Sequence, residues 1–168
     1  MTAAVRVAPL AMGDVDRLCA VAAEIWHRHY PTIISAAQIE YMLAQRYNPP
    51  LLREELQRGD LWWDQLLVAG RMVGFASYYL SGKAGEMKLD KLYVHQDHQR
   101  KGYGAMLLDR AVSIARAHGC GTLMLAVNRN NRNAIAAYEK YGFCIAESAV
   151  KDIGGGFVMD DYVMTKSI

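Results

Sequence analysis

The sequence predicts an α/β domain built around a mixed sheet, and two observations support this prediction. Segments in which polar and apolar residues alternate, as in half-buried strands, are interspersed with segments whose apolar residues recur at helical spacing. Their order along the chain is βαα(α)βββαβαββ, and neither a repeat nor a long linker divides residues 1–168. We therefore expect a single domain in which helices flank one sheet.

Capping residues mark the helices in the first half of the chain. Asp14 can cap a helix that reaches about His27. Ser35 begins a capping-box pattern, which opens a second helix that ends near Arg46. A further short helix is expected at residues 51–58, after a pair of prolines.

Alternation and turn residues predict seven strands. Ala69-Gly70-Arg71 is typical of a hairpin turn between the second and third strands, and the last two strands flank the flexible run Gly154-Gly155-Gly156. The predicted strands are residues 5–8, 61–68, 72–80, 88–94, 122–127, 143–150 and 157–165.

A glycine-containing turn joins the fourth strand to an amphipathic helix. Residues Gln99 to Gly104, with the sequence QRKGYG, lie between the strand that ends at Val94 and the helix at residues 105–117. The two glycines let the backbone approach a ligand closely, and the free amides of a helix's first turn bind phosphate. Arg100 and Lys101 add two cations at the rim. The turn is therefore predicted to bind an anion, and a pyrophosphate suits it best.

Other interpretations of this turn compete with a pyrophosphate site. A glycine turn alone is weak evidence, because a tight turn needs glycine for its backbone angles. A Walker P-loop would need Lys-Ser or Lys-Thr after its last glycine, whereas Tyr103 and Gly104 follow Gly102. A dinucleotide fingerprint would need a glycine at Leu107 and an acidic residue where the next strand ends at Asn128. The residues present therefore disfavour both of these nucleotide sites.

A second cluster of residues follows the fifth strand. Asn131 suits the N-cap of a helix and Gly142 suits its C-terminal end. With this cluster the chain resembles the GCN5-related N-acetyltransferase (GNAT) superfamily. The pattern Gln/Arg-x-x-Gly-x-Gly/Ala matches Gln99 to Gly104, and Asn-x-x-Ala-x-x-x-Tyr matches Asn131 to Tyr138, followed by Gly142-Phe143. The two motifs occur in the family's order and spacing, over roughly residues 87–145.

The resemblance implies a GNAT-like fold, in which a mostly antiparallel sheet contains a splayed parallel strand pair. It also implies acetyl-CoA as cosubstrate and no metal. The turn would hold the pyrophosphate, while pantetheine would pair with the backbone of the central strand. The residues expected to bind the cofactor are Leu92, Tyr93, Val94, Gln99, Arg100, Lys101, Gly102, Tyr103, Gly104, Ala105, Asn128, Asn131 and Tyr138.

Two of these positions are implied to be catalytic. The backbone amide near Leu92 would point at the thioester oxygen, where negative charge develops during attack by an amine. Tyr138 would act as the general acid for the leaving thiolate. The alternative for Tyr138 is a packed aromatic residue, and Tyr141 lies one turn further on.

The general base stays unassigned. Many family members have a glutamate where Lys88 stands in this chain, which argues against a direct carboxylate base at that position. A water relay, Glu24, His27 and His29 are the remaining alternatives, and the face on which Asp90 lies is undetermined.

The acceptor is expected to be the primary amine of a small molecule, with polyamines as one class, which attacks the thioester directly in a ternary complex. Trp26, His27 and Tyr30 are the candidate pocket residues, although His27 and its neighbours also suit a helix C-terminus. A protein or peptide amine is the alternative acceptor. A non-catalytic acyl-CoA-binding module is the alternative of another class, and Lys88 at the glutamate position favours it.

Composition and charge restrict the function further. The net charge of +2 indicates no nucleic-acid partner. No apolar run approaches the ~20 residues that span a bilayer, and the start of the chain lacks a signal-peptide pattern, so we expect no membrane partner and a cytoplasmic protein. Three scattered cysteines and two isolated histidine pairs predict neither a disulfide framework nor a metal site. A homodimer is an expectation from the superfamily, without an identified interface.

Overall fold

Seven strands form one mixed sheet in the computed structural model, which describes residues 3–168. The strands are β1 (Val5–Pro9), β2 (Leu61–Val68), β3 (Arg71–Leu80), β4 (Glu86–Val94), β5 (Thr122–Asn128), β6 (Cys144–Gly154) and β7 (Phe157–Ser167). Their spatial order is β1-β2-β3-β4-β5-β7-β6, and neighbours are antiparallel at each step but β4 to β5, which is parallel. The predicted fold class and the predicted order of elements along the chain are therefore confirmed.

Five helices cover the two faces of this sheet. They are α1 (Val15–His29), α2 (Ala36–Arg46), α3 (Pro49–Glu55), α4 (Tyr103–Ala117) and α5 (Arg132–Tyr141). The helices α1 to α3 share one buried core with Trp26 and Phe75, whereas α4 and α5 share a second core with Tyr78 and Leu123. Within residues 3–168, no helix combines the length and the apolar character that crossing a bilayer requires.

Helix α3 begins two residues earlier than the sequence pattern predicts. The side chain of Asn48 accepts a hydrogen bond from the amide of Leu51, at 3.0 Å, and so caps the helix before the proline pair. Proline is tolerated there because the N–H groups of a helix's first turn form no hydrogen bonds within the helix.

A bulge in β4 separates the two parallel strands. Ser77 of β3 pairs with Lys91 and Tyr78 pairs with Leu89, so that Asp90 is an extra residue on β4. A bulge bends its strand. The pairing of β4 with β5 extends only as far as Leu89, and beyond it the C-terminal halves of the two strands diverge. The gap between them positions the candidate site.

The hairpin of β6 and β7 is held against α2. The hydroxyl of Tyr41 donates a hydrogen bond to the carbonyl of Ile153, at 2.7 Å, and its ring lies 5.2 Å from that of Phe157. Gly154, Gly155 and Gly156 all have positive φ, between +64° and +88°. The run that the sequence analysis took for a flexible link is therefore a hairpin turn packed on a helix.

Replacing Gly155 with alanine should lower the free energy of unfolding by about 2–3 kcal/mol, from a strained φ and overpacking together. The new Cβ would lie 2.8 Å from the Tyr41 ring. Gly156→Ala is the matched control, because its φ is +81° but no atom lies within 4 Å of its Cβ position. Urea denaturation should show the smaller loss, about 1 kcal/mol, for the control; equal losses would contradict packing of the turn on Tyr41.

Candidate active site

A cleft of about 860 Å³ occupies the gap between β4 and β5. It brings together most of the residues predicted from sequence, which come from α1, α4 and α5, from the turn before α4 and from both strands. Those that line it are Trp26, Tyr30, Leu92, Tyr93, Val94, Gln99, Arg100, Gly102, Tyr103, Gly104, Ala105, Asn128, Asn131 and Tyr138. Lys101 and His27 are exposed and lie outside its lining.

The turn before α4 presents free backbone amides to this cleft. Gly102 occupies the N-cap with φ +79°, a conformation that glycine adopts without strain, and it has no side chain that could cap the helix. The helical hydrogen bonds begin with the amide of Met106, which donates to the Gly102 carbonyl at 3.2 Å. The amides of Tyr103, Gly104 and Ala105 are therefore unused by the helix. This arrangement fits a phosphate group.

Gln99 and Lys101 differ from the roles expected of them. The Gln99 side chain donates a hydrogen bond to the carbonyl of Val94, at 3.0 Å, and thus ties the turn to the end of β4. Lys101 extends into solvent, whereas Arg100 lines the cleft with φ +63°. Among the two rim cations, Arg100 is consequently the one placed to meet a phosphate.

The backbone of β4 alternates between its partner strand and the cleft. The amide of His95 donates to the carbonyl of Val73 in β3, at 2.8 Å. Because hydrogen-bonded positions alternate in an antiparallel ladder, Tyr93 directs its backbone groups to β3, whereas Leu92 and Val94 direct theirs into the gap. Leu92 can therefore offer an amide to a ligand. Tyr93 contributes its side chain instead of the backbone pairing that the resemblance implied.

Tyr138 lies half-buried on α5, on the opposite wall of the cleft. Its ring makes an edge contact with Phe143, with centroids 5.6 Å apart. Burial raises the pKa of Tyr138, with a smaller contribution from Tyr30, so the phenol keeps its proton at neutral pH. The hydroxyl of Tyr141, the alternative to Tyr138, donates a hydrogen bond to the Asp109 carboxylate of α4, at 2.6 Å.

Asn131 begins α5, as expected, but its side chain does not cap the helix. Its Oδ1 instead lies 3.1 Å from Nε2 of His29, at the end of α1. The prediction of a side-chain cap was wrong because Asn131 is buried beside another helix, which supplies a partner. Burial lowers the pKa of His29, and the Asn131 hydrogen bond only partly opposes this effect.

The other α1 residues divide between the cleft and the surface. Nε2 of His27 pairs with the carboxylate of Glu40 on the outer side of α2. Trp26 and Tyr30 stack tilted, with centroids 4.4 Å apart, and the Tyr30 and Tyr93 hydroxyls are 2.8 Å apart. Of the three predicted pocket residues, His27 is thus the one that does not reach the cleft.

Charged residues that sequence reasoning could not place also line the cleft. Arg46, Lys88, Lys91, Asp90 and Asp161 come from α2, β4 and β7. Local sequence shows no signal for this grouping, since the bulge and the sheet order bring the residues together. Among residues 3–168, no group of three or more His, Cys, Asp or Glu side chains could hold a metal ion.

Comparisons with known proteins agree with this geometry. The chain is 32% identical over 85 residues to spermine/spermidine N(1)-acetyltransferase of Bacillus subtilis, which covers 46% of this chain and 56% of that protein. It is 37% identical over 79 residues to the ribosomal protein bS18-alanine N-acetyltransferase of Escherichia coli, covering 47% and 52%. The matched segments thus span about half the length of these curated relatives.

A solved structure matches over nearly its whole length. The PaiA N-acetyltransferase from Thermoplasma acidophilum, crystallised with coenzyme A, has a TM-score of 0.85 and 25% identity, over 98% of this chain and 99% of that one. The model of the acetyltransferase (GNAT) family matches residues 21–143. This match includes β4, the turn before α4 and all of α5, so the chain belongs to the acetyltransferase (GNAT) family.

Proposed function

We propose that this protein transfers an acetyl group from acetyl-CoA to the primary amine of a small molecule, by direct attack in a ternary complex. One observation carries the proposal: a single cleft contains unused amides at the start of α4, the gap-facing backbone of Leu92 and the protonated hydroxyl of Tyr138. The named activity of the Bacillus subtilis relative supports a small-molecule acceptor, and the coenzyme A in the PaiA structure supports the cosubstrate.

The residues of the turn and of β4 fit coenzyme A. The amides of Tyr103, Gly104 and Ala105 would hold the pyrophosphate, with Arg100 at its edge. The gap-facing backbone of Leu92 would pair with pantetheine. Acetyl-CoA supplies the activated acetyl group when it is bound.

Three groups of this chain would then act on the reacting atoms. The Leu92 amide stabilises negative charge on the carbonyl oxygen as the amine attacks. Tyr138 gives its proton to the departing sulfur. Its raised pKa keeps the phenol protonated until the sulfur departs, so a proton is available at that step. The attacking nitrogen must lose a proton, and this requires a base.

His29 is the base that the geometry favours among the candidates on α1. Glu24 accepts a hydrogen bond from Nε2 of His95, at 2.8 Å, and His27 is paired with Glu40; neither lines the cleft. His29 does line it. An amide oxygen cannot donate, so Nε2 of His29 donates to Asn131, which leaves the Nδ1 lone pair for a proton.

Replacing His29 with glutamine should lower turnover at pH 7 by about 100-fold, a typical effect of losing a general base. Burial lowers the pKa of His29 below 6.5, so the wild-type acid limb should lie below that pH. In the variant, turnover should instead rise towards alkaline pH, as the acceptor deprotonates in solution. His27→Gln on the same helix is the control and should keep the wild-type profile. A variant with an unchanged pH–rate profile would exclude His29 as the base.

Release of the coenzyme A thiol tests the function itself. The protein is incubated with acetyl-CoA and a panel of small amines and peptides with free α-amines, and thiol release is compared with an amine-free control. We expect amine-dependent release. A peptide acceptor would support the second candidate, protein acetylation, which the Escherichia coli relative suggests. Binding of coenzyme A without release for any amine would indicate the non-catalytic module. The cytoplasmic location and the homodimer stay predictions.

A further inference from the structure

Part of the cleft is lined by charged and polar side chains from α2, β4, β6 and β7. We call the acceptor chamber the part lined by Gln38, Met42, Arg46, Lys88, Lys151 and Asp161. Lys88 precedes Val94 by six strand residues, a separation of about 20 Å at ~3.3 Å per residue. Since the phosphate turn follows Val94, Lys88 lies away from the phosphates of coenzyme A.

The charged side chains of the chamber share one face of the sheet. Met87 and Leu89 are buried in the core beneath α4, so Lys88 between them projects to the opposite face, which α1 and α2 cover. On β7, Asp161 is two residues from Met159, which packs in the α1 core. Asp161 therefore lies on this same face, between Asn128 of β5 and Ala149 of β6.

Helix α2 and the β6–β7 hairpin contact each other beside the acceptor chamber. Gln38 donates a hydrogen bond to the carbonyl of Val158, at 3.0 Å, and Arg46 lies with Nη2 3.1 Å from the sulfur of Met159. The guanidinium of Arg46 is consequently held over the chamber by a sulfur contact and not by a carboxylate.

The charges of the chamber do not cancel. Lys91 and Asp90 neutralise each other, because their charged atoms are 2.5 Å apart and both side chains are shielded. Arg46, Lys88 and Lys151 form no ion pair with any residue in the part of the chain that the structure describes. Three cations therefore face one remaining carboxylate, that of Asp161.

Asp161 supplies the remaining negative charge of the acceptor chamber. It is 6% exposed, and no hydrogen bond or ion pair to its side chain occurs within residues 3–168. Burial raises the pKa of this carboxyl, and the charge of Asp160 adds to the rise, while the charge of Arg46, and more weakly those of Lys88 and Lys151, oppose it. A largely buried carboxylate that lines the cleft and has no hydrogen-bond donor can accept one from a cationic ligand group.

We propose that the acceptor is a primary amine that also carries an anionic group, a carboxylate or a phosphate. Arg46, Lys88 and the exposed Lys151 supply the positive charge for the anion, and Asp161 attracts the ammonium before its proton is removed. This inference rests on the proposed acetyl transfer. It disfavours polyamines, because a second ammonium group would face a surplus of positive charge.

Matched acceptors test the proposal directly. Putrescine, butylamine and 4-aminobutyrate have similar chains and end in an ammonium, a methyl and a carboxylate group, respectively. We expect kcat/KM for 4-aminobutyrate to exceed that for putrescine by at least about tenfold, as like-charge contacts in a partly buried site predict. The gain in kcat/KM of phosphoethanolamine over ethanolamine is set against the gain of 4-aminobutyrate over butylamine. The larger gain identifies phosphate or carboxylate as the preferred anion. Equal or faster transfer to putrescine, or no transfer to either anionic acceptor, would overturn the proposal.

A charge reversal provides the second arm. Lys88→Glu should reduce the ratio of 4-aminobutyrate to putrescine turnover by about tenfold or more, since an attractive charge becomes repulsive. Arg17→Glu, at an exposed position of α1 outside the cleft, changes the net charge equally and should leave the ratio unchanged. An unchanged ratio in Lys88→Glu would contradict the proposal. Transfer to putrescine alone would leave acetyl transfer intact and remove only this inference, whereas no transfer to any amine would remove both.

Discussion

Replacing Tyr138 with phenylalanine is expected to lower kcat by about 100-fold, within the range that general acids contribute. The phenol lies half-buried in the cleft and burial holds its pKa well above neutrality, so it is a proton donor throughout the physiological range. Without it, the sulfur leaves as an unassisted thiolate. Steady-state kinetics by thiol release measure the effect, and calorimetry should show coenzyme A affinity within about twofold of wild type, because phenylalanine keeps the ring contact with Phe143.

Tyr141→Phe is the matched control for this experiment. It removes the same atom one helical turn away, but the Tyr141 hydroxyl is occupied by the Asp109 carboxylate of α4. We expect a small change in stability and little change in kcat. Equal losses in the two variants, or an unchanged kcat in Tyr138→Phe, would show that Tyr138 is only a packed aromatic residue.

Replacing Gly104 with aspartate should weaken coenzyme A binding by about 100-fold, because it introduces a negative charge where the pyrophosphate would approach the first turn of α4. Two charges at about 4 Å repel by several kcal/mol at a partly buried site. The same substitution should not destabilise the fold, since an acidic residue in the first turn of a helix is favourable. Calorimetric titration with coenzyme A, combined with a thermal melt, separates the two effects.

Gly104→Ala is the control at the same position. An alanine Cβ would meet only a methyl group of Leu92, at 3.9 Å, and the family motif accepts glycine or alanine there. We expect affinity within a few-fold of wild type. If Gly104→Asp bound coenzyme A as tightly as Gly104→Ala, the start of α4 would not be the phosphate site, and the proposed function would lose its main support.

Sequence patterns predicted the structure most completely where the interactions that form an element are local in the chain. The alternation in β4, the glycine turn and the stripe of α4 depend on residues a few positions apart, and each lies where it was expected. The hairpin predicted at Ala69 and Gly70 forms, and both residues have positive φ angles. The motif at Asn131 to Tyr138 likewise predicted the position of α5 and identified the family.

Predictions that depended on a side chain's direction were less complete. His27 and His29 are two residues apart on one helix, yet His27 faces Glu40 outside and His29 faces Asn131 in the cleft. Their local sequence looks alike. Which histidine reaches the cleft depends on how α1 packs on the sheet. That packing is set by contacts between residues far apart in the sequence.

By itself, the sequence determined the fold class, the order of elements, the glycine-containing turn before α4 and the family, because periodicity, glycine conformation and helix termini act over short distances. Only the tertiary structure decided which charges meet: the bulge at Asp90, the pairing of Asp90 with Lys91, and the approach of Arg46 and Lys88 to Asp161. Electrostatic interaction depends on distance in space and on burial, and residues 46, 88 and 161 come close only when α2, β4 and β7 have packed.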